Sequence, residues 1–391
     1  MTEPARAPAV GATAVTARSL APDLARGAML LLIALANSHI YLHGHEIGVR
    51  AYPVPETAAD RVVILLQMTL VDGRAFPMFA ALFGYGIVQL MRRQTAGGVD
   101  ALGARRLVRR RGWWMILVGF LHASLLFSGD IVGAYGLLAV VLAGLLVRAG
   151  DRKLLVLAAV WTVPLLAFGA LQGLPVPDGT TSLLPSMATS APLAAAGFRL
   201  AEWVFLTLLL ALFTLILALL LGMWAARRRL LDDPEQHRPF LVRTAVGGLA
   251  LAVAGGLPMA LQAAGLSPAP TWVTGMVTGA LHAVTGFAGG VGYAAVAGLI
   301  AIRVGDRPGP VVTALAACGQ RSLTCYLLQS VVFVAVLAAY GGGLGDRLGV
   351  AVTALLAVVT WAVIVLIAEA MRRRGLRGPA EVVLRRLTYG R

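Results

Sequence analysis

His122 and Asp130 stand eight residues apart in the run GFLHASLLFSGD, with Tyr135 one turn further on. An ionisable group inside an apolar run is expensive to keep. An imidazole there is either a structural hydrogen-bonding group or a proton carrier, since its charge changes near neutral pH. Held by Asp130 or Tyr135, His122 has the chemistry of a general base, which deprotonates an acceptor or carries a transferred group. A second imidazole source lies earlier, where His39, His43 and His45 fall within seven residues beside Glu46. No second cluster supplies further ligands, so no metal is expected. The run reads as a polar mouth, with His45 the rival base to His122.

Other polar groups interrupt the apolar runs. Asp23 and Arg26 lie three apart on one helical face and suit an ion pair. Asn37 lies three turns beyond Arg26 on the same face, so the two define a polar stripe. Arg74 precedes the run FPMFAALFGYG and could meet Asp130 across the mouth, or the two could be unrelated. Tyr326 and Gln329 share a face three residues apart, where amides and hydroxyls also serve to glue helices together. His282 is isolated in its run and reads as structural. Asn37, Arg74, Tyr326 and Gln329 are the candidate substrate contacts.

The elements that must position these residues are helices in a bilayer. Hydrophobic residues are 59% of the 391, charged residues 13%, and the mean hydropathy is +0.82. A spanning helix needs about 20 mostly apolar residues. Ten segments meet or approach that length: 20–42, 73–91, 112–129, 131–148, 152–173, 200–224, 241–264, 272–302, 311–340 and 348–371. The stretch 58–72 is partly polar and suits an interface, and 311–340 is long enough to tilt or break. The expectation is an all-α polytopic transmembrane helix bundle of about ten spans.

The net charge of +15 comes almost wholly from arginine, which sits in short loops between apolar runs. That placement points to a membrane surface rather than nucleic acid. Under a ten-span count every arginine-rich loop falls on one side, which puts both termini in the cytoplasm of a bacterial cell, with the chain in its inner membrane. Residues 1–18 read as a disordered tail, 19–371 as the bundle and 372–391 as a basic tail. Cys318 and Cys325, seven apart on one apolar run, would be roughly 10 Å apart along a continuous helix, too far for a disulfide. No phosphate-binding loop, nucleophile elbow or HExxH motif occurs.

Five ordered motifs carry a family resemblance. They are Asp23-Leu24-Ala25-Arg26-Gly27 with Asn37 downstream, FPMFAALFGYG (76–86), RRRGWWMILVGFLHASLLFSGDIVGAYGLL (109–138), GQRSLTCYLLQS (319–330) and GPAEVVLRRLTYG (378–390). With these motifs the chain resembles the DUF418 family of bacterial membrane proteins from about residue 19 onward. The bundle then divides into an N-terminal part, 19–230, and a DUF418-like part, 231–371. The family pattern in the ninth span usually reads GRMALTNY, and Gln320, Arg321 and Cys325 depart from it here.

The family is distantly similar to transmembrane acyltransferases, including acyltransferase-3 proteins and heparan-glucosaminide acetyltransferases. The shared feature is an Arg-Gly in the first span with a polar residue eleven later. That resemblance implies an acyl-CoA, such as acetyl-CoA, entering from the cytoplasm. Its phosphates would meet Arg26, Arg109, Arg110 and Arg111, and its acyl group would pass to an acceptor at the outer side. The alternative is a transporter or flippase of a small or lipid-like molecule. The expected partners are the lipid bilayer and a small-molecule or lipid-like substrate, with a second copy of the chain as a further candidate.

Overall fold

A computed structural model describes residues 19–142 and 148–390. The tail expected at 1–18, the inner end of the expected 131–148 span and Arg391 lie outside them. The described chain is an all-α bundle. Its only strand-like features are isolated bridges, His43 with Ser182 and Ile47 with Pro53.

The first half runs through α1 (Leu20–Ser38), α2 (Ala58–Leu70), α3 (Ala75–Ala96), α4 (Ala101–Leu125), α5 (Val132–Val141) and α6 (Asp151–Gln172). Next come α7 (Pro192–Leu210) and α8 (Ile216–Arg227), joined without a break by a π-helical turn at Ala211–Leu215. That turn displaces one carbonyl from the regular ladder. The Leu212 carbonyl accepts the Trp161 indole N–H at 2.6 Å and ties α6 to the turn. The second half holds α9 (Arg238–Ala263), α10 (Trp272–Val304), α11 (Pro310–Gln320), α12 (Ser322–Leu337), α13 (Val350–Arg373) and the short α14 (Pro379–Tyr389).

Seven helical units among the described residues are long and apolar enough to cross a membrane, and α11 with α12 makes an eighth if the pair counts as one span. This is fewer than the ten expected, and the segments not counted are 112–129 and 131–148. The helix α4 spends its first three turns on Arg105, Arg106, Arg109, Arg110 and Arg111, which lowers its hydropathy below that of a span. The segment 131–148 is described only in part, with α5 covering Val132–Val141 and residues 143–147 outside the described residues. The stretch 58–72 packs as α2 on α9 and α13, burying Ile64 and Met68. It is started by a capping box in which Thr57 and Asp60 satisfy each other's backbone N–H.

The long 311–340 run breaks. Helices α11 and α12 meet at Arg321 with an 85° bend. The premise of one continuous helix through Cys318 and Cys325 therefore fails, and Cys325 Sγ lies 3.8 Å from the Cys318 carbonyl oxygen. Both thiols are free and buried.

Small residues set the spacing around α4 and α5. A Cβ on Gly112 would sit 2.8 Å from the Gly136 carbonyl, and one on Gly136 would sit 2.6 Å from the Gly112 carbonyl. Only a backbone without side chains permits that approach, the packing mode of helices in lipid. The helix pair closes around the loop 126–131, and the loop carries Asp130.

Candidate functional site

The close approach of α4 and α5 brings His122 and Asp130 together. His122 Nδ1 lies 2.9 Å from Asp130 Oδ1, with both side chains almost fully buried. The other carboxylate oxygen, Oδ2, accepts the Gly133 backbone N–H at 2.6 Å, at the start of α5. Gly119 lies one turn before His122, and a Cβ there would collide with Asp130 Oδ2 and the Gly133 nitrogen. The carboxylate thus holds one ring nitrogen and fixes the ring's orientation. His122 Nε2 is buried with no hydrogen-bond partner among the described residues.

Tyr326 of α12 covers this pair. Its ring centroid lies 5.1 Å from that of the imidazole, at a tilt of 58°. Tyr135 stacks on Phe83 at 5.0 Å, and its hydroxyl is buried with no hydrogen-bond partner among the described residues. Both tyrosines line a cavity of about 1020 Å³. From them the cavity runs past apolar groups such as Ile33, Phe83 and Met115 to the arginine-rich end of the bundle. There its walls include Asp23 and Arg26, which pair at 3.0 Å, and Arg111. His122 itself is not in the lining, because the Tyr326 ring stands between.

The C-terminal segment completes that wall. Glu381 of α14 accepts the backbone N–H groups of Leu323 (2.7 Å) and Thr324 (3.2 Å) at the first turn of α12, and the Thr324 hydroxyl at 2.5 Å. The break at Arg321 exposes these N–H groups, and a carboxylate is their natural partner. Arg321 Nη2 donates to the Leu376 carbonyl at 2.5 Å and ties the same segment down.

Residues 225–391 match the family described as "Protein of unknown function (DUF418)". The matching stretch is under half of the chain. It holds the broken helix, Tyr326 and the C-terminal wall, whereas His122 and Asp130 precede it. The chain is also similar to the "Uncharacterized protein YxaH" of Bacillus subtilis (strain 168), 25% identical over 360 residues, covering 85% of this chain and 82% of that protein. Within the matching stretch, the ninth-span motif marks the break itself. Arg321 is the hinge residue, and Gln329 Nε2 donates to the Leu30 carbonyl at 2.9 Å, a helix-to-helix bond.

Several expected site residues lie elsewhere. Arg109 and Arg110 are exposed and outside the cavity wall, because they fall on the outward face of α4. Asn37 is buried and also outside that wall. His45 Nδ1 lies 3.4 Å from Glu56 in the loop after α1, so the two candidate bases occupy different settings. Arg74 does not pair with Asp130. It is fully buried, donating to the Asp72 carbonyl and, at 2.6 Å, to the Ala252 carbonyl, with His282 Nε2 3.2 Å away.

His282 is consequently not isolated. It joins a second polar centre in which Arg50 Nε donates to Asp72 Oδ2 at 2.5 Å and a further Arg50 nitrogen donates to Gln172. Arg50 and Ala51 hold φ of 55° and 65°, a left-handed conformation costly for side chains with a Cβ. Arg50 and Asp72 lie in connections between apolar runs, where charge is ordinary, so nothing in the sequence set them apart.

Glu202 was also missed, although it interrupts an apolar run and the cost of burying charge applies to it as to His122. It accepts the Ser128 and Ser186 hydroxyls at 2.6 Å each and the Ser186 N–H at 2.9 Å, and so pins the loop that carries Asp130. Nearby, Arg199 donates to the Ser124 carbonyl and lies over the Tyr340 ring. Burial pushes the Tyr340 phenol above its ordinary value despite that guanidinium. Among the described residues no three His, Cys, Asp or Glu side chains converge as metal ligands.

Proposed function

We propose that the protein is a membrane-embedded acyltransferase with His122 as its general base, Asp130 as the group that holds the imidazole, and the long cavity as the entrance for a thioester donor. The observation that carries this reading is the juxtaposition of a buried His–Asp pair with the Tyr326-lined end of a cavity whose other end is arginine-rich. With the arginine-rich end in the cytoplasm, the donor enters from inside and the acceptor from the opposite side.

In the step itself, His122 Nε2 takes the proton from an acceptor hydroxyl or amine as that group attacks the thioester carbonyl carbon. The new C–O or C–N bond forms, the C–S bond breaks, and the imidazolium returns the proton to the departing thiolate. Asp130 stabilises the imidazolium between the two transfers. The Tyr135 hydroxyl is the donor available to the carbonyl oxygen as charge develops on it. A swing of the Tyr326 ring is the movement that joins the imidazole to the cavity.

The test is transfer from radiolabelled acetyl-CoA by protein in proteoliposomes, with membrane lipid and aqueous products both counted. His122→Ala should lower transfer by about 10²–10⁴, the usual worth of a general base. Wild-type rates in both His122→Ala and His45→Ala would overturn the mechanism.

The break between α11 and α12 supports a second reading, a transporter or flippase, because discontinuous helices line the substrate sites of many transporters. That protein would move solute or lipid across the same liposomes without consuming thioester.

A further inference from the structure

Charge is unevenly spent along the cavity. Its walls hold eight arginines (26, 92, 93, 111, 229, 321, 377 and 385) against four carboxylates (Asp23, Asp232, Asp233 and Glu381). The carboxylates are already engaged. Asp23 pairs with Arg26, Asp233 lies 3.3 Å from Arg229, Asp232 accepts from Gln89 at 2.7 Å, and Glu381 caps α12. The surplus is positive and gathers at one end. Arg385 of α14 is half-buried there, faces the cavity, and has no hydrogen-bond or ion-pair partner among the described residues. Side-chain entropy and desolvation both disfavour such a placement unless an anion repays it.

The residues beyond the mouth sharpen the ligand's chemistry. Beside the arginines the lining holds apolar groups such as Leu90, Val108 and Leu384, with a few uncharged polar residues such as Gln89, Gln320 and Ser322, and it ends at the tyrosines. A small inorganic anion would use the mouth and leave the rest of the cavity unfilled. A molecule with a phosphate-bearing head and an apolar arm matches the sequence of environments from mouth to end. Guanidinium groups suit phosphate because their paired N–H donors bind its oxygens bidentately.

We infer that the arginine-rich mouth is a binding site for the phosphate groups of an amphipathic ligand, and that the C-terminal helix α14 is one wall of that site, contributing Arg385 from one side while Arg111 of α4 faces the cavity from another. Glu381 fixes the height of that wall by fastening α14 to the first turn of α12. Gly378 makes the fastening possible, since a Cβ there would sit 2.7 Å from Thr324 Oγ1. The inference deepens the acyltransferase reading by naming the donor's head group, and rests on that reading only for the direction of entry. A CoA thioester and an anionic phospholipid share the required chemistry.

The experiment is isothermal titration of the purified full-length chain in a neutral detergent, with acetyl-CoA and dihexanoyl phosphatidylglycerol as probes. At least one should bind, with affinity falling as salt rises. Arg385→Gln should weaken that binding about tenfold, the loss of one charge-assisted contact. Arg385→Lys should lose less, and Arg109→Gln, which removes an equal charge from the exposed face of the same end, should change it less than twofold. Acetyl-CoA as the ligand that responds to Arg385 assigns a CoA source, and phosphatidylglycerol as that ligand assigns a lipid source. Binding of neither probe, or equal losses in Arg385→Gln and Arg109→Gln, overturns the site. Wild-type protein that binds a probe but transfers no acyl group refutes the acyltransferase reading and leaves the site standing.

Discussion

Asp130 divides its carboxylate between His122 and Gly133, one oxygen for the imidazole Nδ1 at 2.9 Å and the other for a backbone N–H at 2.6 Å. The backbone bond makes the carboxylate part of the α5 terminus, so the imidazole is oriented by main chain as much as by charge. Asp130→Asn preserves the size of the group but can present an N–H to the ring, which favours the wrong tautomer. Transfer should fall by at least about 10²-fold. Unchanged transfer in Asp130→Asn would show that Asp130 does not set the tautomer.

Gly119 is the sensitive position behind the pair. Gly119→Ala places a methyl group against Asp130 Oδ2 and the Gly133 nitrogen, and neither backbone nor carboxylate has room to retreat. The expected result is a loss of about 1–3 kcal/mol of stability, the usual cost of overpacking. It should be read as a lower midpoint of unfolding in a mild-to-denaturing detergent titration. Gly197→Ala, inside α7 where a Cβ meets nothing nearby, is the control and should hold or raise the midpoint.

Breaking the second polar centre should be costlier. Asp72→Asn leaves Arg50, in a centre that also holds buried Arg74, without its carboxylate, and stranding a buried charge costs about 3–5 kcal/mol. Asp72→Asn should therefore fold poorly or unfold early. Arg50→Gln, which removes one of the two cations as well as an ion pair, should be milder. Equal stability of Asp72→Asn and wild type would show that the centre is not held by charge.

Glu381→Gln keeps the side chain's length while replacing an anion with an amide at the α12 terminus. The carboxylate's preference for a helix N-terminus is worth about 0.3–1 kcal/mol, and the charge-assisted bonds add to it. Faster amide exchange should follow across 379–389, measured by hydrogen–deuterium exchange, with α9 and α10 unaffected. Protection equal to wild type in α14 would mean that Arg321 and apolar packing at Leu384 hold the helix unaided.

The bundle was legible because apolar runs near 20 residues leave a chain little choice but to form helices in lipid. The span count was less legible. In α4 the arginines and the apolar residues occupy successive halves of one helix, so a window over 112–129 sees only the apolar half. The 85° break at Arg321 was foreshadowed only by the excess length of 311–340, since the nearby Gly319 still lies within α11. Spacing offered His122 either Asp130 or Tyr135 as its partner, and the short helix–loop–helix brings Asp130 to the ring. Arg74 could not be placed the same way. Its partners on α9 and α10 are 178 and 208 residues distant, and only the packed structure selects them from many polar groups.

The His–Asp pair and the chamber wall that faces it come from distant stretches of chain, residues 122–130 on one side and 319–389 on the other. They touch through the Tyr326 ring and through the Tyr340 hydroxyl, which donates to the Leu126 carbonyl. Substitutions in the later stretch can therefore change which molecule is admitted without disturbing the machinery that would handle its proton. Such a division lets one inherited reaction be offered to different guests.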